Sequence, residues 1–347
     1  MNSSRKRQLF VCLVAALAVV VSVGTRAAAP TGYHVVKTYK LGGDGGWDYL
    51  LVDSASRRVY ISRGTHVMVV DADTGAIVGD IPETPGVHGI AIASDLLKGF
   101  TSNGRAGSVT VFDTKTLKTI TQVKVGQNPD AILFDPSSGR VFTFNGASKD
   151  ATAIDAKTET VVGTIPLGGK PETAVADEHG HIFVNIEDKS EIVEFDARKL
   201  TVLNRWPLAP CEEPSGLAID RKHRRLFAGC SNKLMAVVNA DTGKVVTTLP
   251  IGNGVDANGF DPSTDLAFSS NGEGTLTVVH EDSPDKFTVV ENAPTQRGAR
   301  TMSLDTKTHR VFLVSAEFGP PPPPTPERPR PRPSIVPGSF TLIVMEK

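Results

Sequence analysis

Residues 129–145 read Pro-Asp-Ala-Ile-Leu-Phe-Asp-Pro-Ser-Ser-Gly-Arg-Val-Phe-Thr-Phe-Asn and predict two antiparallel strands joined by a tight turn. Both flanks carry residues that suit a pleated sheet, and the centre carries the turn residues Asp-Pro-Ser-Ser-Gly. Two further strands are expected over Asp150–Asp155 and Thr160–Pro166, with a turn between them. Residues 129–166 therefore predict one four-stranded unit of an all-β protein.

An apolar strand that ends in a turn recurs seven times along the chain. The predicted first strands are Trp47–Asp53, Val87–Ala93, Pro129–Asp135, Pro171–Asp177, Pro214–Asp220, Val255–Asp261 and Ala299–Asp305. Their last residues are 40 to 44 residues apart. A period of this length that is built from strands alone is typical of propeller blades. We therefore predict a single seven-bladed β-propeller of four-stranded blades over residues 30–347.

The two ends of the chain are expected to complete the same blade. The seventh repeat supplies strands at Arg300–Asp305, Arg310–Ser315 and Ser339–Val344, but no fourth strand follows them. The early segment Tyr33–Leu41 alternates like a strand and belongs to no other repeat. We predict that it is the outer strand of the last blade, because this pairing leaves no open edge in the ring.

Several repeats carry the same short motifs in their second, third and fourth strands. The clearest are Val59-Tyr-Ile-Ser62, Val67-Met-Val-Val-Asp71, Thr74-Gly-Ala-Ile-Val78, Arg225-Leu-Phe-Ala228, Met235-Ala-Val-Val-Asn239 and Thr242-Gly-Lys-Val-Val246. These motifs resemble the repeats of the YVTN/YncE-like β-propeller family, over about residues 46–318 and the C-terminal strand. The resemblance implies the seven-bladed fold. It says little about function, because the repeated residues belong to the scaffold.

The charge balance gives no support for a nucleic-acid partner. The chain has 37 Lys and Arg against 38 Asp and Glu, and residues 1–29 hold four of the basic residues and no acid. Residues 30–347 therefore carry a net charge of −5. A mildly acidic surface does not attract phosphate backbones or anionic membranes. We also expect the protein to be a monomer.

Residues 1–29 are predicted to be a signal peptide. Arg5–Arg7 form a basic start, Leu9–Val23 is an apolar stretch of 15 residues, and small residues follow near Gly24–Ala29. A bilayer span needs about 20 residues, so we expect export to the periplasm or the medium and no membrane span after cleavage. An uncleaved anchor is the alternative.

Outside this segment the chain has two cysteines, Cys211 and Cys230. Cys211 enters the predicted first strand of the fifth repeat and Cys230 leaves the second, so antiparallel pairing brings them to one end. An oxidising compartment then favours a disulfide between them. Two separate buried thiols are the alternative.

Residues 319–337 interrupt the last repeat and contain ten prolines. Such a segment favours an extended polyproline II conformation, and we expect that it does not pair in a sheet. One interpretation is a solvated, disordered loop. The other is a flap or docking arm over the upper face, which is the face reached by the loops between strands 2 and 3.

Propeller geometry predicts where chemistry could lie. The second residue of each predicted first strand is expected at the upper mouth of the central channel, and these residues are Asp48, His88, Asp130, Glu172, Ser215, Asp256 and Arg300. Trp47, Glu213 and Arg297 are expected near the same rim. The Asn-Gly pairs at 103–104, 145–146 and 271–272 are interpreted as turn residues with left-handed backbone. Most other histidines are placed on the opposite, lower face.

This ring of polar residues allows three interpretations. It is a solvated channel mouth, or it binds a divalent cation such as calcium through Asp48, Asp130, Glu172 and Asp256. The third interpretation is a pocket for a small molecule, peptide or protein, formed by Trp47, Asp48, His88, Asp130, Glu172, Glu213, Asp256, Arg297 and Arg300.

We expect an exported binding or interaction protein. The alternative is a hydrolase, lactonase or lyase in which His88 is the base, Asp130 or Glu172 orients it, and Arg300 stabilises an oxyanion. The sequence has no Gly-x-Ser-x-Gly elbow, phosphate-binding loop or clustered Cys/His metal motif that would favour a particular reaction.

Overall fold

A computed structural model of this protein describes residues 32–43, 45–325, 331 and 333–347. The signal peptide predicted over residues 1–29 lies outside the described residues, as does part of the proline-rich segment. The described chain forms seven four-stranded sheets. The first strand of each sheet contacts the first strands of both neighbouring sheets, so the sheets close around a central channel as the blades of a propeller. The predicted fold is confirmed.

Each blade runs from strand 1 at the channel to strand 4 at the outer edge. The first strands are Leu50–Asp53, Val87–Ala93, Pro129–Asp135, Pro171–Ala176, Pro214–Asp220, Val255–Asp261 and Met302–Asp305. The second strands are Arg58–Ser62, Lys98–Asn103, Arg140–Asn145, His181–Ile186, Arg225–Cys230, Leu266–Asn271 and Arg310–Ser315.

The outer half of each blade is formed by the remaining two strands. The third strands are Val67–Asp71, Ser108–Asp113, Asp150–Asp155, Glu191–Asp196, Leu234–Asn239, Thr275–Ser283 and Thr341–Glu346. The fourth strands are Ile77–Ile81, Thr119–Lys124, Thr160–Pro166, Thr201–Pro207, Val245–Pro250, Lys286–Pro294 and, in blade 7, His34–Lys40. Helical structure in the described ranges consists of three short 3-10 turns, Ser94–Leu96, Gly104–Ala106 and Glu187–Lys189. No helix of those ranges is long and apolar enough to span a membrane.

One aromatic side chain per blade fills the space between sheets. It is the third residue of strand 2 in each blade and is fully buried. The seven residues are Tyr60, Phe100, Phe142, Phe183, Phe227, Phe268 and Phe312. The ring of Phe227 in blade 5 stacks on Phe260 of blade 6, with 5.3 Å between ring centroids. Burial of these rings supplies much of the apolar area that holds neighbouring blades together.

The N-terminal strand closes the ring as predicted. His34–Lys40 pairs antiparallel with Thr341–Glu346, from His34 opposite Glu346 to Lys40 opposite Thr341. Just before it, the buried Tyr33 ring meets Phe268 of blade 6 edge-on, with centroids 5.1 Å apart. The Tyr33 hydroxyl donates a hydrogen bond to the carbonyl oxygen of His309 at 3.1 Å. The terminal blade is therefore held by side chains as well as by its ladder.

Two predicted first strands begin later than expected, at Leu50 and Met302. In blade 1 the backbone N–H of Asp48 bonds to the Ser62 hydroxyl at 3.0 Å and takes no part in the ladder. In blades 2 to 6 the first and second strands pair once and then shift register, as they do between Pro129 and Ile132. A β-bulge of this kind turns a side chain out of the regular alternation. The channel-mouth residues of these blades lie within the bulges.

The expected disulfide between Cys211 and Cys230 is present. Both residues are buried and belong to the apolar cluster of blade 5. Cys230 ends the second strand of this blade and lies opposite Pro214 in its first strand. The bridge therefore ties the connection that leads into blade 5 to the sheet.

The interpretation of the Asn-Gly pairs as left-handed turns is wrong. Asn103 has a φ of −113°, and none of the three asparagines has a positive φ. All three are fully buried at the end of a second strand. Their side-chain amides donate to threonine hydroxyls of the third strand, at distances of 2.8 to 3.0 Å from Thr110, Thr152 and Thr277. They tie strands 2 and 3 together beneath the upper loops, which is a tertiary role that turn propensity does not reveal.

Candidate functional site

The channel-mouth residues form a continuous series of contacts across five blades. His88 Nδ1 lies 2.6 Å from Asp48 Oδ2 and 3.7 Å from Asp130 Oδ1. On the other side of Asp48, the Arg300 guanidinium lies 3.7 Å from Asp48 Oδ1 and donates from Nε to Asp256 Oδ2 at 2.5 Å. The series therefore runs from Asp130 of blade 3 through blades 2, 1 and 7 to Asp256 of blade 6.

Of the two remaining predicted channel-mouth residues, Ser215 extends this series and Glu172 does not. The Ser215 hydroxyl donates to Asp256 Oδ1 at 2.9 Å. Glu172 instead forms an ion pair with Lys170, whose Nζ lies 2.7 Å from its carboxylate and also pairs with Glu187. The structure thus brings six of the seven predicted residues into one chain of contacts and gives Glu172 a separate cation.

Tyr49 reaches into the ring from blade 1, and it was not predicted as a site residue. Its hydroxyl is 3.4 Å from Thr173 Oγ1, which joins blade 1 to blade 4 across the channel. Burial, and then the charges of Asp130, Glu172, Asp256 and Asp48, hold its pKa well above the usual value. The other blades carry Gly, Ala or Thr at this position, which follows the channel-mouth residue. A single tyrosine among small residues at this position therefore marked Tyr49 in the sequence as a candidate site residue.

Burial of the carboxylates shifts their titration towards neutral pH. Burial raises the pKa of Asp130 to about 6, with the charge of His88 opposing the shift. Burial and the charge of Asp130 raise the pKa of Glu172 to about 8, against the opposing effect of Lys170. Burial lowers the pKa of His88, but the Asp48 hydrogen bond and the nearby carboxylates outweigh it, so the net direction is upward. The channel mouth therefore holds groups that can exchange protons near neutral pH.

The structure separates the four carboxylates that the sequence suggested as cation ligands. Asp48 and Asp130 come together with His88, and donor atoms of these three residues lie within 4.8 Å of one another. Glu172 is paired with Lys170, and Asp256 is paired with Arg300. Because the positive side chains already balance the last two carboxylates, an all-oxygen calcium shell from the four is not assembled.

A cavity of about 450 Å³ opens beside this ring on the upper face. Its walls come from blades 1, 6 and 7 and from the proline-rich segment, and they include Trp47, Arg297, Arg300, Phe318, Pro333 and Ile335. Glycines 46, 254, 272 and 298 complete the lining. Arg300 belongs both to the cavity and to the ring, so the two features are contiguous.

Part of the proline-rich segment is anchored at the rim of this cavity. Ile335 forms an antiparallel bridge with Phe318, although we expected no pairing over 319–337. The Gly319 N–H donates to the Ser334 carbonyl at 2.8 Å, and the Val336 N–H donates to the Glu317 carbonyl at 2.8 Å. Residues 334–336 lie between Pro333 and Pro337 and are not prolines, so each keeps a backbone N–H that can pair. The ends of the segment therefore form a short ladder that places Pro333 and Ile335 in the cavity wall.

Three further residues were predicted at the rim. Trp47 is partly buried against Phe340 and Phe318, at ring-centroid distances of 5.3 and 6.1 Å. Its buried Nε1 has no hydrogen-bond partner among the described residues. Arg297 is exposed in the cavity wall. Glu213 is exposed in the connection before blade 5, and it is not part of the cavity wall.

Comparisons with known proteins identify the fold. No family model matches the chain, and no curated protein matches it. The solved structures similar to it include U3-55K, with a TM-score of 0.72 and 10% identity over 90% of this chain and 98% of that chain. A chain of the mitotic checkpoint complex has a TM-score of 0.73 and 14% identity over 96% of this chain and 99% of that chain.

The WD40 repeats of RRP9 give a TM-score of 0.73 with 10% identity, over 90% of this chain and 97% of that chain. Identities this low show a common fold and carry no information about shared chemistry. By its blades and by these neighbours, the chain is a seven-bladed β-propeller with WD40-like structural relatives.

Proposed function

We propose that the protein is an exported binding module that holds a small organic anion in the upper-face cavity. The observation that carries this proposal is the combination of two arginines and two aromatic rings, Arg297, Arg300, Trp47 and Phe318, around about 450 Å³. Ligand pockets typically enclose about 300–1,000 Å³ and combine apolar walls with a few charged groups. The cavity has both properties.

The two arginines differ in what they offer to a ligand. The charge of Arg300 is shared with Asp256 and Asp48, so this side chain is held in place. Arg297 is exposed, so its positive charge is the more accessible of the two to a ligand. A carboxylate or phosphate accepts paired hydrogen bonds from a guanidinium. The ring faces of Trp47 and Phe318 then suit the apolar body of the same molecule.

A peptide or protein that presents a carboxylate would use the same contacts. The fold is consistent with an interaction scaffold, and one similar solved chain belongs to an assembly, the mitotic checkpoint complex. The rim beyond the cavity, including Glu213 and the anchored ends of the proline-rich segment, would then contact the partner.

Export, the YVTN/YncE-like family and the domain limits are part of the same proposal. The basic and then apolar character of residues 1–29 supports a signal peptide, with the propeller over residues 30–347. The buried Cys211–Cys230 disulfide suits an oxidising compartment. The repeated motifs of the second to fourth strands support the family.

Binding is tested with purified protein from which co-purified small molecules are first identified by mass spectrometry. Those molecules and a panel of aromatic and aliphatic carboxylates and phosphates are then titrated by calorimetry. We expect saturable binding that Arg297→Ala weakens at least tenfold. Arg105→Ala is the control, because Arg105 is also an exposed arginine of the upper face but lies outside the cavity wall. Equal affinities for the two variants, or no anion bound at all, would contradict the proposal.

The second candidate function is acid–base catalysis by a hydrolase, lactonase or lyase. It is favoured by the 2.6 Å contact between His88 Nδ1 and Asp48 Oδ2, which orients the imidazole as a base is oriented in hydrolytic sites. Asp130, with a pKa of about 6, lies 3.7 Å from the same imidazole nitrogen. A panel of lactones and esters tests this candidate. Turnover that His88→Ala abolishes, while Arg105→Ala retains it, would favour the enzyme over a binding module.

A further inference from the structure

The lower face of blade 6 carries a glutamate where four other blades carry a buried alanine. In blades 1 to 6 one residue, just after the third strand or in its continuation, donates its N–H to a carbonyl of the strand 1–2 turn. In four blades this residue is an alanine that is at most 2% exposed, namely Ala72, Ala156, Ala197 and Ala240. In blade 6 the same hydrogen bond, to Asp265 at 2.9 Å, is made by Glu281.

Glu281 is buried without a hydrogen bond to its carboxylate. The residue is 4% exposed, and neither Oε atom has a hydrogen-bond partner among the described residues. A buried carboxylate without a hydrogen bond destabilises a fold unless a proton or a cation neutralises it. A positive group at this site would offset a cost that the alanines of the four other blades do not carry.

Two other donor atoms converge on the same point from blade 5. His223 Nδ1 lies 2.9 Å from Glu281 Oε1 and 2.8 Å from Asp220 Oδ2. This nitrogen is also buried and is aligned for a hydrogen bond with neither carboxylate. One nitrogen carries at most one proton, so His223 cannot satisfy both acids.

The cation that balances this aspartate at three other blade interfaces is missing between blades 5 and 6. At three other blade interfaces the aspartate that ends strand 1, or the residue directly after that strand, pairs with an Arg or His of the next blade. These pairs are Asp177 with Arg224, Asp261 with His309, and Asp305 with Arg57. The Arg or His of these pairs directly precedes strand 2 of its blade. In blade 6, which faces Asp220, the residue before strand 2 is another acid, Asp265. Arg225 is engaged elsewhere, with Pro284 O at 2.6 Å and Asp285 at 2.9 Å.

We propose that Asp220, His223 and Glu281 form a site for a divalent transition-metal ion that joins blades 5 and 6. One donor atom from each residue lies within 4.8 Å of the others. Two ligands about 2.1 Å from an ion are about 3 Å apart at a right angle and about 3.4 Å apart at the tetrahedral angle. The observed separations of 2.8 and 2.9 Å are close to the first value and need only a small adjustment to reach the second. One imidazole with two carboxylates suits zinc or manganese better than calcium, which takes oxygen ligands.

The extended hairpin of blade 6 explains how these residues meet. Its third and fourth strands have nine residues each, Thr275–Ser283 and Lys286–Pro294. The extension carries Glu281 and the hairpin tip towards the strand 1–2 turn of blade 5, where the tip also binds Arg225. A bound ion would therefore fasten the tip to the neighbouring blade.

The test uses the full chain after treatment with a chelator, with Zn²⁺ alone as the probe. Calorimetry and elemental analysis after gel filtration are expected to give one Zn²⁺ per chain and a melting temperature that rises with Zn²⁺. Glu281→Ala introduces the residue that four other blades carry at this position, so it should fold. It is expected to weaken Zn²⁺ binding at least about tenfold and to remove the thermal shift.

The matched control is His309→Ala, which removes the histidine of the blade 6–7 interface, where His309 pairs with Asp261. This control should bind Zn²⁺ like the wild type. His88→Ala tests for binding at the upper ring instead. The proposal is overturned if the wild type binds no Zn²⁺, if Glu281→Ala retains full binding, or if His88→Ala alone removes it.

Discussion

Arg300 of blade 7 donates a hydrogen bond from Nε to Asp256 Oδ2 of blade 6 at 2.5 Å. The same guanidinium lies 3.7 Å from Asp48 of blade 1 and forms part of the cavity wall. One side chain therefore connects the three blades at which the ring closes, and it also links the polar ring to the cavity beside it.

Replacement of Arg300 by alanine is expected to lower the free energy of unfolding by about 1 kcal/mol, because Asp256 loses a charged hydrogen-bond donor. The side chain is 42% exposed, so water replaces part of the lost interaction. Arg297→Ala is the matched variant, and its effect should stay within about 0.5 kcal/mol. Urea unfolding of both variants measures the difference, and equal destabilisation would show that the Arg300 contacts are not structural.

Glu172 is expected to make stability fall as pH rises. Its pKa is raised from 4.5 to about 8 in the folded protein, chiefly by burial. Between these values the folded state binds more protons than the unfolded state, so the free energy of unfolding decreases with pH. The slope from this group is at most about 1.4 kcal/mol per pH unit.

Urea unfolding of the wild type and Glu172→Gln between pH 5 and 9 tests this dependence. The variant should show a flatter profile, because glutamine does not titrate. Glu178→Gln, which changes an exposed glutamate of the same blade, should leave the slope unchanged. A Glu172→Gln profile parallel to the wild type would contradict the raised pKa.

Tyr33→Ala is expected to reduce stability by roughly 3 kcal/mol. The change removes the buried edge-on contact with Phe268 and the hydrogen bond to His309 O, both of which hold the N-terminal strand to the ring. Val35→Ala is the control in the same region, since Val35 is 41% exposed. Thermal and urea unfolding compare the two, and a small effect of Tyr33→Ala would mean that the ladder alone closes the propeller.

Loss of the disulfide is expected to cost about 3 kcal/mol, as for a loop of roughly 15–20 residues. The bridge joins Cys211 and Cys230, which are 19 positions apart. The double variant Cys211→Ala/Cys230→Ala and reductant-treated wild type should unfold at similarly lowered urea concentrations. Reductant should not affect the double variant, and an unchanged wild-type midpoint under reductant would count against a stabilising bridge.

Much of the channel mouth could be predicted because it follows from the repeat. Asp48, His88, Asp130, Asp256 and Arg300 occupy one position of successive repeats, and the structure places them in contact. Their shared position in the repeat is enough to place them on one rim. Which of them pair, and which titrate near neutral pH, depends on distances and burial that no repeat period contains.

The cavity was only partly visible in the sequence. Trp47, Arg297 and Arg300 were expected at the rim, but Phe318 and Ile335 were not recognised. Trp47 and Phe318 are far apart in the chain and meet because the terminal strand closes the ring. Tyr49 and Glu281 were detectable as departures from the small residues that most other repeats carry at the same positions, yet what each contacts depends on another blade.

By itself the sequence determined the number of blades, the pairing of the two terminal strands, the cysteine pair and the face on which each loop lies. It does so because strand propensity and turn chemistry are local and recur in every repeat, and each blade can bury its faces only against its neighbours. The tertiary structure alone decided the contacts of Arg300 with Asp256, of Trp47 with Phe318 and of His223 with Glu281. These contacts join different blades, so they depend on bulges, hairpin length and sheet twist rather than on the period.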